Sequence, residues 1–231
     1  KLNEAETAKE YAHILGTDHH EYYLNDKECM EILFKIPRIY DEPFAQASAI
    51  PTYIVSKMAR RDVTVVISGD GGDEMFAGYK RDVQCPAMYK YLTCAKPKEG
   101  KRFSDLYDYL QYAMFRVGGF HDNIVSFSPS DERHFRRFGS RKLLNDLNKA
   151  LHFEAVTFME SETLVKVDRA SMANSLEVRE PFLDPEIVEF AFTLPEEYKY
   201  NSGSQKWLLK ELLAHYLPRT LFDIPKRGFH I

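Results

Sequence analysis

Apolar residues recur at helical spacing in three early segments of the chain. The pattern predicts helices that begin near Ala5, Asp26 and Pro51, with Asp26 as the N-cap of the second helix. Gly16 is expected to end the first helix. Between the first and second helices, the run from His19 to Leu24 predicts a short strand.

The sequence VTVVI, Val63 to Ile67, has a different pattern. It is short, β-branched and apolar at positions that would face both sides of a sheet. Such a run is typical of a buried strand in a parallel sheet. The order helix, strand, helix, helix, strand therefore predicts an α/β sheet fed by crossover helices.

After Tyr79 the helical pattern dominates, and no strand of comparable quality is evident. We therefore expect an α/β part in residues 1–80, followed by a mainly helical part in residues 81–231. The helical segments expected in this second part are Phe103 to Phe115, Asp131 to Phe138, Leu143 to Leu151, Phe153 to Val165, Ile187 to Leu194 and Lys206 to Tyr216.

Composition narrows the class of protein. The chain is 44% hydrophobic, with 16 Phe and 14 Tyr, which is enough to fill a substantial core. A net charge of −4 argues against nucleic acid as the main partner. Three cysteines without a CxxC motif favour reduced thiols in a cytoplasm. No apolar run approaches the ~18 residues of a membrane span.

The candidate chemistry lies directly after the predicted strand, in SGDGGDE, Ser68 to Glu74. Open α/β sheets bind ligands at the carboxyl ends of their strands. Gly69, Gly71 and Gly72 tolerate positive φ and let backbone N–H groups approach a ligand closely. The motif is neither a Walker A loop nor GxGxxG.

The acids Asp70, Asp73 and Glu74 would repel bare phosphates. They fit phosphates if Mg²⁺ intervenes, because Mg²⁺ prefers carboxylates together with phosphate oxygens. One acid could instead act on a nucleophile or a leaving group. The alternative is an ordinary turn whose acids cap the next helix; three acids, three glycines and a serine favour a ligand site.

This loop, SGDGGDEMFAGY, resembles the signature of the synthetase domain of glutamine-hydrolysing asparagine synthetases. Three further segments support the resemblance and occur in the family's order. They are YDEPFAQASAIPTYIVSK, Tyr40 to Lys57; KVDRASMANSLEVREPFLD, Lys166 to Asp184; and LPRTLFDIPKRGF, Leu217 to Phe229.

The resemblance implies a Rossmann-like parallel sheet of the adenine nucleotide alpha hydrolase type. It also implies a cytoplasmic ligase of asparagine biosynthesis. Such enzymes activate the side-chain carboxylate of aspartate with ATP and Mg²⁺, form β-aspartyl-AMP and pyrophosphate, and transfer ammonia to it. An N-terminal glutaminase domain of the same parent chain supplies the ammonia. Neither nucleic acid nor a membrane is an expected partner, and homodimerisation is left open.

The resemblance also assigns roles within the loop. Ser68 and Gly69 would contact the AMP portion, and Gly71 is grouped with them as a nucleotide-binding residue. Asp73 would be a Mg²⁺ ligand. Asp70 would face the reacting centre as a catalytic residue, although some relatives have the longer Glu there.

Outside the loop, Lys226 in PKRGF matches the family lysine that neutralises charge as pyrophosphate departs. Glu177 and Arg179 are one residue apart and would share a face in an extended segment. They would form either a wall of the active site or an internal ion pair that holds the helical part to the sheet.

For two other groups of charged residues, a structural role is among the predictions. Lys166, Asp168 and Arg169 are expected to form a buried network before a helix. Asp41 and Glu42 in DEPF are equally compatible with a helix cap and with the rim of a site.

Two features of the family are absent from these residues. The chain begins at Lys1 without the catalytic cysteine of the glutaminase domain, and no pyrophosphate-binding loop of the SGGxDS type is present. We therefore expect a C-terminal part of a synthetase domain that is inactive by itself and binds ATP weakly or not at all.

Two alternatives stay open. A related synthetase could use the same adenylation on another carboxylate, for example to close a β-lactam; such relatives usually have a Tyr–Glu pair that deprotonates an amine, and none is evident in the sequence. A non-catalytic module with the same fold is the other alternative.

Overall fold

The computed structural model describes residues 5–44, 46–94, 103–117 and 145–223. The helices are α1 (Ala5–Leu15), α2 (Asp26–Leu33), α3 (Ile36–Ile39), α4 (Ala49–Ala59), α5 (Gly72–Met75), α6 (Lys80–Cys94), α7 (Leu106–Val117), α8 (Asp146–Glu154), α9 (Val165–Met172), α10 (Pro185–Thr193), α11 (Glu196–Lys199), α12 (Trp207–Leu213) and α13 (Arg219–Phe222). A π-helix, Ala155–Leu164, joins α8 to α9, and a 3-10 turn spans Pro181–Leu183. The strands are β1 (Val65–Ile67), β2 (Glu177–Arg179), β3 (Tyr200–Asn201) and β4 (Ser204–Gln205).

Local sequence explains where the first helices begin and end. The predicted stop of α1 at Gly16 is confirmed, because this glycine adopts a φ of +65°. The predicted cap of α2 is wrong by one residue. Asn25 is the residue with extended backbone, and its Oδ1 accepts a hydrogen bond from the Glu28 N–H at 3.0 Å. Asp26 lies inside the first turn, where its negative charge interacts favourably with the positive end of the helix dipole.

The predicted α/β class is confirmed as a mixed chain with a small parallel sheet and mostly helices. β1 pairs in parallel with β2, with Val65 opposite Glu177 and Ile67 opposite Arg179. The expected burial of β1 is wrong, since Val65 is 41% exposed and Ile67 is 76% exposed. Within the described ranges this sheet has two strands, so each strand has only one neighbour.

Two other strand predictions need correction. The run His19 to Leu24 has no strand in the structure, because no described segment pairs with it. Conversely, strands do follow Tyr79: β2 is the partner of β1, and β3 and β4 form a short antiparallel hairpin. The predicted helical segment Asp131 to Phe138 lies outside the described residues.

Residue contacts divide the chain into two compact units. Unit 1 comprises residues 1–70, 160–181 and 208–231, and unit 2 comprises residues 71–159 and 182–207. The chain therefore passes from unit 1 to unit 2 inside the predicted ligand loop, between Asp70 and Gly71. None of the helices in the described ranges is long and apolar enough to cross a membrane.

Unit 1 is built around α4 and α9, which pack on each other. A buried apolar cluster joins α4 to α2 and α3 and consists of Ile32, Ile36, Tyr40, Ala49 and Ile54. The Tyr40 hydroxyl donates to the Lys166 carbonyl at 3.0 Å, which ties this cluster to α9.

The charged groups of this region differ from the expectation of a buried network. Lys166, Asp168 and Arg169 lie inside α9 itself. Arg169 forms an ion pair of 2.7 Å with Asp41, and both side chains are exposed. Water screens such a pair strongly. Asp41 is also not a cap residue of either neighbouring helix, α3 or α4.

Unit 2 has its main core where α6, α7 and α8 meet. The buried members are Leu106, Tyr107, Tyr109, Leu110, Ala150 and Phe153. Arg81 joins α6 to the end of α8 through two hydrogen bonds of 2.7 Å to Glu154. The Arg81 guanidinium also lies over the rings of Tyr79 and Phe158.

Lys199 and Asp82 are among the ionisable side chains that are buried in unit 2. Lys199 is 0% exposed; it donates to the Asn148 side chain at 2.6 Å and lies over the Phe192 ring. Burial lowers the pKa of this lysine to about 8. Asp82, in the first turn of α6, is 2% exposed. Its Oδ2 accepts the Tyr79 N–H at 3.1 Å, and its Oδ1 has no hydrogen-bond partner within the part of the chain that the structure describes.

Burial, followed by the nearby charge of Glu154, raises the pKa of Asp82 from its ordinary 3.8 to about 8. The Tyr79 N–H and Arg81 oppose this shift without cancelling it. The folded state thus holds a proton that the unfolded state releases at lower pH. Asp82 therefore makes the stability fall as the pH rises from about 4 to about 8.

We predict that Asp82→Asn removes this part of the pH dependence. Asparagine keeps the acceptor oxygen for the Tyr79 N–H and carries no charge to desolvate. From about pH 5 to about pH 7.5, the wild type should lose at least ~1 kcal/mol more unfolding free energy than the variant. Urea unfolding at several pH values measures the difference. The lowered pKa of Lys199 is common to the wild type and the variant, so its contribution cancels in this comparison.

Asp108→Asn is the matched control. Asp108 also lies in the first turn of a helix and accepts a backbone N–H, that of Ser104 at 2.9 Å, but its side chain is less buried. The control should keep the pH dependence of the wild type. An identical slope in the wild type and in Asp82→Asn would contradict the prediction.

Candidate active site

Residues Ser68 to Asp70 of the motif lie at the carboxyl ends of the parallel strands of unit 1. The Ser68 N–H donates to the Arg179 carbonyl at 2.9 Å, so the pairing of β1 with β2 continues for one residue beyond Ile67. Ser68 and Glu180 therefore leave the two strands at the same edge. This is the edge at which α/β sheets bind ligands.

Ser68 and Asp70 form a small hydrogen-bonded turn at this edge. The Ser68 hydroxyl donates to Asp70 Oδ2 at 2.7 Å and accepts the Asp70 N–H at 3.2 Å. The structure thus brings together two of the residues that the sequence predicted for the site. Gly69, between them, is exposed, and a Cβ there would meet no atom within 4 Å.

Glu180 is an acid at the same edge that sequence reasoning missed. It is partly buried, and this burial, followed by the charges of Asp70 and Asp168, raises the pKa of its carboxyl group. The sequence contained one signal for it: Glu180 directly follows EVR. The position of Glu180 could be inferred only once EVR was known to form a strand beside β1.

Glu177 and Arg179 share one face of β2, as expected for an extended segment. They form an ion pair with each other, with Arg179 Nε 2.8 Å from Glu177 Oε1, and both side chains are more than half exposed. Their role as a wall of the site stays a prediction.

The second half of the motif belongs to unit 2 and begins with a glycine that no other residue could replace easily. Gly71 has a φ of +87°, and a Cβ on it would lie 2.3 Å from Leu183 Cδ2. The positive φ predicted for the loop is thus found at Gly71. From Gly72 the chain enters α5, which carries Asp73 and Glu74.

Asp73, the predicted Mg²⁺ ligand, forms an ion pair with Lys206. The distance between Lys206 Nζ and Asp73 Oδ1 is 2.7 Å. Gly78 makes room for this pair, because a Cβ there would lie 1.6 Å from Asp73 Oδ1 and 2.6 Å from Lys206 Cε. Sequence reasoning missed both Lys206 and Gly78; the available signal was Gly78 itself, a further glycine shortly after the acidic run.

The backbone around this ion pair departs from common conformations. Ala77 and Lys206 have φ values of +58° and +53°, a region that non-glycine residues seldom adopt. The hairpin that carries Lys206 is attached to the turn, since Gln205 Nε2 donates to the Ala77 carbonyl at 3.3 Å. Such strain persists only where the surrounding contacts enforce it.

Glu74 has a structural partner. It is 2% exposed and accepts a hydrogen bond from the Tyr79 hydroxyl at 2.8 Å. Burial, followed by the charge of Glu74, raises the pKa of Tyr79 well above its ordinary value. The phenol therefore stays protonated and acts as a donor that holds the buried carboxylate.

The side chains around Asp73 supply only part of what Mg²⁺ requires. The described residues contain no group of three or more Asp, Glu, His or Cys side chains that could enclose a metal ion. Asp73 supplies one carboxylate oxygen in a cradle that a Cβ at position 78 would fill. One carboxylate together with phosphate oxygens and water suits Mg²⁺, which seldom uses all-protein cages. Lys226, the predicted catalytic lysine, lies outside the described residues.

Comparison with known proteins identifies the family of the chain. The family model for asparagine synthase matches residues 1–231. The chain is 30% identical over 258 residues to glutamine-hydrolyzing asparagine synthetase 1 of Bacillus subtilis, an alignment that covers 100% of this chain and 40% of that protein. A putative glutamine-hydrolyzing asparagine synthetase of Mycobacterium tuberculosis is 29% identical, with 100% of this chain and 39% of the relative covered.

A mammalian relative extends the comparison. The glutamine-hydrolyzing asparagine synthetase of Mesocricetus auratus is 26% identical over 231 residues, with 96% of this chain and 31% of the relative covered. The chain thus spans at most two fifths of the length of these relatives. The predicted family is confirmed, and the chain belongs to the asparagine synthase family.

Proposed function

We propose that this chain forms part of an ATP-dependent carbon–nitrogen ligase that converts aspartate to asparagine through a β-aspartyl-AMP intermediate. The observation that carries the proposal is the position of the motif SGDGGDE, directly after a strand of a parallel pair. Membership of the asparagine synthase family over residues 1–231 supports it. The finer fold we propose is a Rossmann-like sheet of which β1 and β2 are two strands.

In this proposal, the unit 1 residues bind and orient the substrates. Ser68 and Gly69 contact the AMP portion, where the exposed backbone at Gly69 leaves room for close approach. Asp70 is held by the Ser68 hydroxyl, so its carboxylate has a fixed direction. Attack by ammonia leaves a positively charged nitrogen that must lose a proton. Asp70, with Glu180 beside it, supplies negative charge and proton acceptors for this step.

In unit 2, Asp73 would hold Mg²⁺ and Gly71 would bring backbone close to the nucleotide. When bound, Mg²⁺ would neutralise charge on the phosphate oxygens of ATP. Lys226 is proposed to stabilise the negative charge that grows on pyrophosphate as it leaves. Ammonia would come from glutamine, hydrolysed by another part of the parent protein, as the names of the relatives suggest.

Little supports the alternative function in which a Tyr–Glu pair deprotonates an amine. A Tyr–Glu pair does exist, contrary to the expectation from the sequence: Tyr79 bonds to Glu74. The raised pKa of Tyr79 makes the phenolate unfavourable. In addition, the hydroxyl donates a hydrogen bond to the buried Glu74 side chain, so the pair serves to shape the turn.

We predict that Asp73→Asn in the full-length protein abolishes aspartate-dependent pyrophosphate release. The amide removes the charge that attracts Mg²⁺ and keeps nearly the same shape. Pyrophosphate release at saturating Mg²⁺ and ATP measures the effect, with circular dichroism as a check on folding.

Asp146→Asn is the control for loss of an Asp–Lys ion pair. Asp146 contacts Lys149 and Lys90 at 3.1 Å and lies in α8, outside the motif. This variant should release pyrophosphate at nearly the wild-type rate. An unchanged rate in Asp73→Asn would refute the metal role of Asp73.

For Lys226 we predict an effect on the chemical step. Lys226→Ala in the full-length protein should lower kcat and kcat/KM together, with little change in KM for ATP, since the charge it contacts grows only as pyrophosphate leaves. Lys226→Arg should restore little activity, because a planar guanidinium does not replace a compact ammonium. A raised KM with unchanged kcat would instead indicate uniform phosphate binding.

A further inference from the structure

We propose that Lys206 is a positioning residue that occupies the cation position of Asp73 until a divalent metal ion displaces it. The inference rests on the proposed role of Asp73 as a metal ligand. It goes further because it gives a role to Lys206, which was not among the predicted site residues. Lys206 competes with the metal ion for the Asp73 carboxylate.

The geometry of the ion pair is the first argument. Lys206 Nζ lies 2.7 Å from Asp73 Oδ1, at direct contact. A metal ion on this oxygen would lie at 2.0–2.1 Å, the usual distance for Mg²⁺. Two cations in contact with the same oxygen repel each other strongly. Binding of one at Asp73 Oδ1 therefore requires the other to move away.

The second argument is that the fold is arranged around this contact. Gly78 leaves the space that both Asp73 Oδ1 and Lys206 Cε occupy. Lys206 adopts a φ of +53°, a costly conformation for a residue with a Cβ. The preceding residue, Gln205, holds the hairpin to the Ala77 carbonyl. These features indicate that the position of Lys206 is specified.

The third argument is access. The side chains of Lys206 and Asp73 are 35% and 25% exposed, whereas Asp73 Oδ1 itself is buried, so an ion from solution can reach this oxygen only when the ammonium moves away. The long, flexible lysine side chain can withdraw while its backbone stays fixed by the hairpin. The ammonium therefore returns when the metal leaves, and the carboxylate is paired in both states.

The test is divalent-cation binding by the 231-residue chain, independent of enzymatic activity. Mn²⁺ serves as the probe, because the electron paramagnetic resonance signal of the free ion reports how much is bound. Lys206→Met removes the competing charge and keeps most of the side-chain volume. We expect it to bind Mn²⁺ about tenfold more tightly than the wild type, since the ion no longer displaces an ammonium. Asp73→Asn should lose this binding in either background.

Lys149→Met is the matched control, because Lys149 also contacts an aspartate, Asp146 at 3.1 Å. It should leave Mn²⁺ affinity unchanged. A second readout is Trp207, the only tryptophan in the sequence and the neighbour of Lys206. Its fluorescence should change on Mg²⁺ addition in the wild type and stay constant in Asp73→Asn.

The proposed exchange is wrong if folded Lys206→Met binds Mn²⁺ no more tightly than the wild type, or does not bind it at all. That outcome is separable from the proposed function. If Asp73→Asn still abolishes pyrophosphate release by the full-length protein, only the exchange fails. If pyrophosphate release persists, the metal role of Asp73 fails with it.

Discussion

Parallel pairing of β1 with β2 is the constraint on which unit 1 depends. Parallel neighbours need a long connection, because the chain must return to the same end of the sheet before it can pair again. Here the returning strand brings Arg179 beside Ser68, where the Ser68 N–H meets the Arg179 carbonyl. That single register places Asp70 and Glu180 at one edge, although they are far apart in sequence.

The acidic motif is compatible with a folded protein because each carboxylate is stabilised in a different way. Asp70 accepts a hydrogen bond from the Ser68 hydroxyl. Asp73 forms an ion pair with the ammonium of Lys206. Glu74 accepts a hydrogen bond from the Tyr79 hydroxyl. Asp82, a few residues later, is buried with one bonded oxygen and a pKa that favours the protonated form near neutral pH. Unpaired burial of these charges would be far more costly.

Two of the four non-glycine residues with positive φ in the described ranges, Ala77 and Lys206, lie next to the same groups. Positive φ values occur at Gly71, Ala77 and Lys206, which flank Asp73 in the sequence or contact it in space. Each non-glycine residue in this region costs on the order of 1–3 kcal/mol. Gly78 avoids a direct collision with the ion pair. In unit 2, local backbone strain therefore accompanies the contact between the Asp73 carboxylate and the Lys206 ammonium.

The sequence by itself determined the helices of the first part, the strand before the motif and the family, since periodicity, caps and contiguous motifs are local properties. Tertiary structure alone decided the partner of that strand and the residues that contact the acids. EVR is too short to predict a strand, and Lys206 is an ordinary lysine until the hairpin brings it to Asp73. Exposure of β1 was also not predictable, because burial depends on which segments cover a strand and not on its own composition.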